Sequence, residues 1–319
     1  MKIQFLGTAA AIPSLARNVS ALGLRLEQRR EWWLFDCGEG TQHRLLRTDL
    51  PISQVRRIFL SHMHGDHLYG LPGLMATRGF KGGFEPLDVY GPPGIREFIE
   101  KVRSLSGTHF SYPLTITEIP ANRGASLIFE DDEYIVHAVQ VPHVGVTFSF
   151  VIEEKQRAGR FRIEQAQALG LRPGPLFGKL KAGETITLED GRVIDGRTLV
   201  DPPLKGRKLA LVFDTSDASG IVELARDADL LVHESTYLES DIDPQQTQDY
   251  GHSTAAGAGR LAKKLGAKKL ALSHFSLRYE QPDPGLPSIK DLIAEAEREF
   301  TPGAVVAAAD FMPIEIPRS

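Results

Sequence analysis

A single cysteine, Cys37, stands in 319 residues. No internal disulfide framework is therefore possible, and the composition fits a reducing, cytoplasmic setting. Long apolar runs are also missing: none approaches the roughly 18 residues of a membrane span. The first residues carry one lysine and include Gln4, Thr8 and Pro13, which makes a poor signal peptide and a good first strand. Positive charge is not in excess either. With 37 Lys and Arg against 41 Asp and Glu the net charge is −4 and the pI about 6.2. General attraction to nucleic acid is thereby excluded, and any such affinity must be concentrated in a local patch. No internal repeat is visible. The apolar content of 42% over this length suffices for a large core.

The chain is rich instead in metal-ligand side chains. Residues 57–67 read Arg-Ile-Phe-Leu-Ser-His-Met-His-Gly-Asp-His, an apolar run that ends in His62, His64, Asp66 and His67. Imidazole and carboxylate suit a borderline divalent cation such as zinc. In an extended stretch alternate residues share a face, so His62 and His64 can reach one ion, while Asp66 and His67, beyond a glycine, can turn toward a second. Three further strand-like runs end in a donor: one at His143, one at Asp214 and one at His274. Donors gathered at the carboxyl ends of buried strands are how layered α/β proteins build sites. Because they spread from residue 62 to residue 274, the site closes only if most of the chain folds together, so one domain over 1–319 is expected.

The His-Met-His-Gly-Asp-His block resembles the defining motif of the metallo-β-lactamase superfamily. Nearly end to end, the chain resembles its ribonuclease Z family: Phe5 to Thr8, Phe35 to Gln42, the histidine motif, Tyr-Gly-Leu-Pro-Gly after it, His-Glu-Ser-Thr at 233–236 and His-Ser-Thr at 252–254. The resemblance implies an α/β fold, an αββα sandwich, with two zinc ions per subunit: His62, His64 and His143 on one, Asp66, His67 and His274 on the other, and Asp214 bridging. Manganese in place of zinc is left open by the residue types. It further implies a homodimer and removal of the 3′ trailer from precursor tRNA. Two departures from the family pattern stand out: Phe213 replaces the usual glycine before Asp214, and His-Glu-Ser-Thr replaces His-Glu-Ala-Thr.

Apart from the metals, the resemblance and the chemistry assign Asp66 as proton acceptor for the attacking water and His252, oriented by Glu234, as proton donor to the leaving ribose oxygen. His43, His109 and His137 read as structural, and His233 as a neighbour that orients a ligand. Residues 153–181 break the strand–helix alternation. From Lys155 to Lys181 they carry seven bases against the single acid Glu164. The resemblance makes this stretch a projecting tRNA-binding arm, with Leu171 to Pro175 at its tip and Arg160, Arg162, Arg172, Gly174, Pro175, Lys179 and Lys181 as candidate substrate contacts. Two other functions stay open: a small-molecule phosphodiesterase or arylsulfatase of the same fold, which has no need of the arm, and a non-catalytic RNA-binding module.

Overall fold

The structure, a computed structural model, describes residues 1–122, 124–281, 283 and 285–318. Internal contacts divide it into two compact units: Met1–Glu153 with Arg207–Pro317, and Glu154–Gly206 with Arg318.

In the larger unit the strands are β1 (Lys2–Gly7), β2 (Ala21–Arg25), β3 (Trp32–Phe35), β4 (Val55–Phe59), β5 (Leu87–Gly91), β6 (Leu114–Glu118), β7 (Ala125–Glu130), β8 (Tyr134–Val141) and β9 (Thr147–Glu154), which ends at the unit boundary. After the insertion, which holds β10 (Thr185–Thr187) and β11 (Val193–Asp195), come β12 (Lys208–Val212), β13 (Leu230–Glu234), β14 (Leu270–Ser273), β15 (Val305–Ala307) and β16 (Pro313–Glu315). They form two seven-stranded sheets, ordered β16-β1-β2-β3-β4-β5-β6 and β15-β14-β13-β12-β9-β8-β7. The strand period of two sorts the side chains. Trp33 and Phe35 of β3 join Phe59, Phe148 and Phe150 in the core between the sheets. Trp32 and Leu34, on the opposite face, join Leu45, Leu71, Leu74 and Ile95 from α1 (Thr41–Leu45), α3 (Leu71–Phe80) and α4 (Ile95–Ser106), with the one-turn α2 (Gly65–Leu68) between the first two. A third cluster seats α7 (Val222–Ala225), α9 (Ala255–Leu265) and α10 (Ile289–Glu299) on the outer face of the second sheet, with α8 (Pro244–Tyr250) lying between α7 and α9 in the sequence. The result is the αββα sandwich. β3, β4, β5 and β6 run parallel, as do β12 to β15, so the donors that follow them in sequence leave each sheet at its carboxyl edge.

Between β12 and β13 the helical structure is brief, a 3₁₀ turn at Ser219–Ile221 followed by the single turn of α7. Asp227 in the left-handed region, at φ 57°, reverses the chain soon after it. The insertion is larger than 153–181. In it, α5 (Ile163–Ala168) is followed by α6 (Pro175–Lys181) and by the antiparallel pair β10–β11. Proline at the first helical position suits α6; Leu180 from this helix, Ile186 and Ile194 from the hairpin, and Phe161, Ala166, Leu171 and Leu199 make a separate small core. Without residues beyond 181 that core is incomplete. The expected tip, Leu171 to Pro175, is therefore a connection between two helices, with Leu171 buried.

Candidate metal centre

Four of the donor histidines, His62, His67, His143 and His274, are each fixed by a hydrogen bond on the nitrogen turned away from the centre. Asp36 ends β3 next to β4 in the parallel pair, where Phe35 stands opposite Phe59. It accepts from Ser61 N at 2.7 Å and Ser61 Oγ at 2.8 Å. His67 Nδ1–H donates at 2.6 Å to Oδ2, the oxygen that also accepts from Ser61 Oγ. Ser61 Oγ, having donated to Asp36, accepts from His62 Nδ1–H at 2.9 Å. His143 Nδ1–H donates to Gly251 O at 2.7 Å. His274 Nδ1–H donates to Thr236 Oγ1 at 3.0 Å, and Thr236 Oγ1 donates in turn to Glu234 at 2.8 Å. These bonds leave Nε2 of His62, His67, His143 and His274 as inward lone pairs, the tautomer that a cation requires.

Two sets of atoms converge. His62, His64, His143 and Asp214 offer one group of ligand atoms and Asp66, His67, Asp214 and His274 another, each group within 4.8 Å. Asp214 Oδ2 lies 3.8 Å from His62 Nε2, 3.4 Å from His67 Nε2 and 3.9 Å from His143 Nε2; its Oδ1 lies 3.3 Å from His274 Nε2. Asp66 Oδ2, which accepts from Ala11 N at 3.0 Å, lies 3.3 Å from His67 Nε2. His62 Nε2 and His143 Nε2 face His64 Nδ1 at 3.0 and 3.2 Å. His67 Nε2, His274 Nε2 and Asp214 Oδ1 are buried without a hydrogen-bond partner. Lone pairs crowded at such distances, with buried acceptors unsatisfied, are what bound cations resolve, and the nitrogen and oxygen donors fit a borderline divalent metal.

Electrostatics agree. Burial and the neighbouring His67 hold His62 well below the ordinary imidazole value, and burial likewise lowers His143, so both stay neutral and able to ligate. Burial works against charge on His67, but Asp214 and Asp36 overcome it and raise that ring well above its usual value. Asp214 lies well below the carboxylate range: burial opposes ionisation, and His274, His67 and His62 outweigh it.

Beside the second set, Glu234 is buried and accepts from Thr215 N, Thr236 N, Thr236 Oγ1 and Ser253 N. His252 Nδ1 lies 3.5 Å from Glu234 Oε1 and 3.9 Å from Asp214 Oδ2, with 18% of its side chain exposed. Burial opposes its charge, yet Glu234 and then Asp214 raise its pKa to about 9. His233 does not orient a donor: its Nδ1 donates to the Glu234 carbonyl. Phe213 packs with Phe150 in the core between the sheets, and its ring centroid lies 6.4 Å from that of His67, so the larger residue also buttresses a donor.

Sequence reasoning gave no role to Asp36, Ser61, Thr236 or Gly251. Asp36 and His274 carried a structural signal in their left-handed backbones, φ 55° and 58°, but that is invisible in one sequence. Gly251 adopts φ 69°, and a Cβ there would meet His143 Nδ1 at 2.5 Å, which makes glycine necessary just before His252. In the smaller unit Arg162 is held by Asp201 at 2.7 Å, whereas Arg160, Arg172, Lys179 and Lys181 are exposed and have no ion pair among the described residues. Gly174 is extended, at φ 171°, a conformation that any residue adopts.

Two face-to-face sheets with helices outside and His and Asp donors at one edge define the metallo-β-lactamase fold, and the structure is similar to the metallo-β-lactamase fold protein YhfI from Bacillus subtilis (TM-score 0.66, 18% identity, 98% of each chain). A family model described as anti-Pycsar protein Apyc1 matches residues 1–112, which include the histidine motif and none of the later donors. The chain belongs to the ribonuclease Z family, being 46% identical over 318 residues to ribonuclease Z of Cyanothece sp., with 100% of this chain and 96% of that one covered. The short form of human tRNase Z is similar in structure, with TM-score 0.69 and 30% identity over 99% of this chain and 100% of the other.

Proposed function

We propose that this chain is the metal-dependent endonuclease that removes the 3′ trailer from precursor tRNA, leaving a 3′-hydroxyl on the tRNA and a 5′-phosphate on the trailer. The convergence of two donor sets on Asp214, in a chain alignable end to end with ribonuclease Z, carries this reading. No observation favours the small-molecule phosphodiesterase or arylsulfatase alternative.

The residues divide the work. His62, His64 and His143 would hold one zinc ion and Asp66, His67 and His274 the other, with Asp214 common to both donor sets. Divalent ions at these positions would supply positive charge against the scissile phosphate and a nucleophile at neutral pH. Asp66, whose side chain is 14% exposed, accepts the proton of the attacking water. His252 gives a proton to the departing ribose oxygen, and Glu234, fixed by its own backbone donors, sets the angle of that imidazole. The RNA 2′-hydroxyl takes no part. The inserted unit grips tRNA as an arm through Arg160, Arg172, Lys179 and Lys181, which supply phosphate contacts that the overall charge of −4 does not. A cytoplasmic homodimer completes the reading; no described helix is long and apolar enough to cross a membrane. The test is to incubate the metal-loaded protein with precursor tRNA and with a nitrophenyl phosphodiester. A kcat/KM far higher on tRNA, with the stated end groups, supports the proposal; preference for the small ester overturns it.

A further inference from the structure

The donor motif hangs from the carboxyl end of β4. At the amino end of that strand the larger unit opens a cleft of about 660 Å³. At about 3.3 Å per residue, the seven steps from Val55 to His62 separate it from the metal centre by roughly 20 Å. Four guanidinium groups, those of Arg29, Arg30, Arg56 and Arg78, line it against the two carboxylates of Glu31 and Glu85. Much of that charge is already matched. Arg29 pairs with Glu31, Asp131 and Glu133, Arg56 with Asp88, and Glu31 also with Arg57.

Arg78 is different. It is 1% exposed and donates from Nε to Val55 O at 3.1 Å and from Nη1 to Gly83 O at 2.7 Å. Its guanidinium lies over the Tyr112 ring at 4.4 Å. No carboxylate lies within ion-pair distance of it among the described residues. A buried guanidinium without a counter-charge is costly, and this one lines an open cleft. Burial and then the nearby Arg56 lower its pKa, while Glu85 acts the other way. Arg30 is exposed, and among the described residues it has no ion pair and the Ser53 and Gln54 side chains at the same wall have no hydrogen bond. The exposed guanidinium of Arg30 and that of Arg78, which has no counter-charge and keeps Nη2 beyond its two carbonyl partners, make with a neighbouring hydroxyl and amide a donor set for a phosphoryl oxyanion.

We propose that this cleft binds a phosphate group, away from the metal centre, with Arg78 and Arg30 as its charge partners. The phosphate comes from a free pyrophosphate-like molecule or from the RNA backbone. Hydrogen exchange of the metal-loaded protein, with and without millimolar pyrophosphate, distinguishes the outcomes. Residues 52–57 and 78–86 exchange more slowly with the anion present, and protection at 62–68 reports separately on the metal centre. Arg30→Ala weakens the cleft effect about tenfold, Glu85→Gln strengthens it, and both leave protection at 62–68 and nitrophenyl ester turnover unchanged. Arg30 is exposed, so this variant folds even if Arg78→Lys does not. With cleft protection seen in the wild type, a raised KM for precursor tRNA in Arg30→Ala identifies RNA phosphate as the source, and an unchanged KM a free one. No protection at the cleft when 62–68 is saturated, or equal protection in Arg30→Ala, overturns the proposal.

Discussion

The metal centre and the inserted unit use charge in opposite ways. At the centre His62, His67, Asp214, Glu234 and His274 are all buried, and most of them are held by a further protein group whose only visible task is to aim them. In the insertion a small core of seven buried residues carries Arg160, Arg172, Lys179 and Lys181 into solvent, without an ion pair among the described residues. Chemistry on a phosphorus atom needs donors fixed to fractions of an ångström; grip on a polyanion needs free charge and tolerates loose geometry. In the function proposed above, one chain meets both needs by keeping them in separate compact units.

The contrast is broken most severely at its shared ligand. Asp214→Ala should cut hydrolysis of both tRNA and a nitrophenyl phosphodiester by about three orders of magnitude or more, with a folded circular dichroism spectrum; wild-type turnover at unchanged metal content refutes the two-ion arrangement. His252→Ala should lower tRNA cleavage about 10²–10⁴-fold yet leave the nitrophenyl ester within about tenfold, because a nitrophenolate leaves without help. Equal losses would place His252 in metal binding or folding. Replacing the entire insertion, residues 155–205, with a short glycine linker should cost tRNA cleavage about 10²-fold and spare the small ester, since remote binding energy alone is removed. Cutting only to residue 179 would strand Leu180, Ile186 and Ile194 and confuse the result. Asp36→Asn should weaken metal affinity about 10–100-fold, measured by competition with a chelator, although Asp36 is not itself a ligand. The finest test lies within the arm: Arg172→Ala should reduce the salt slope of tRNA binding by about 0.9, and Arg162→Ala by less, because Asp201 already neutralises Arg162.

The donors were legible because each ends an apolar run, and strand ends are visible in sequence. The sandwich followed from the same alternation, together with the family motifs. What aims the donors was not legible. Asp36 reaches His67 across 31 positions, and Gly251 reaches His143 across 108; no periodicity connects residues so far apart. The true extent of the insertion escaped for a similar reason. The excess of bases ends at Lys181: beyond it Arg192, Arg197 and Lys205 are outnumbered by Glu184, Glu189, Asp190, Asp195 and Asp201 in the same packed unit, so a boundary drawn by charge divides a core drawn by contacts. The cleft at the amino end of β4 carries no motif at all.

His62, His64, Asp66 and His67 follow a strand of one sheet, while His143, Asp214 and His274 follow strands of the other. A cation held by both sets therefore acts as a rivet between the two layers, and it exists only while they stay together. Since such an ion has no equivalent site in the unfolded chain, free metal at a hundredfold its dissociation constant adds about 2.7 kcal/mol to stability. The melting temperature of this protein thereby becomes a gauge of metal supply, falling on chelation before any substrate is added.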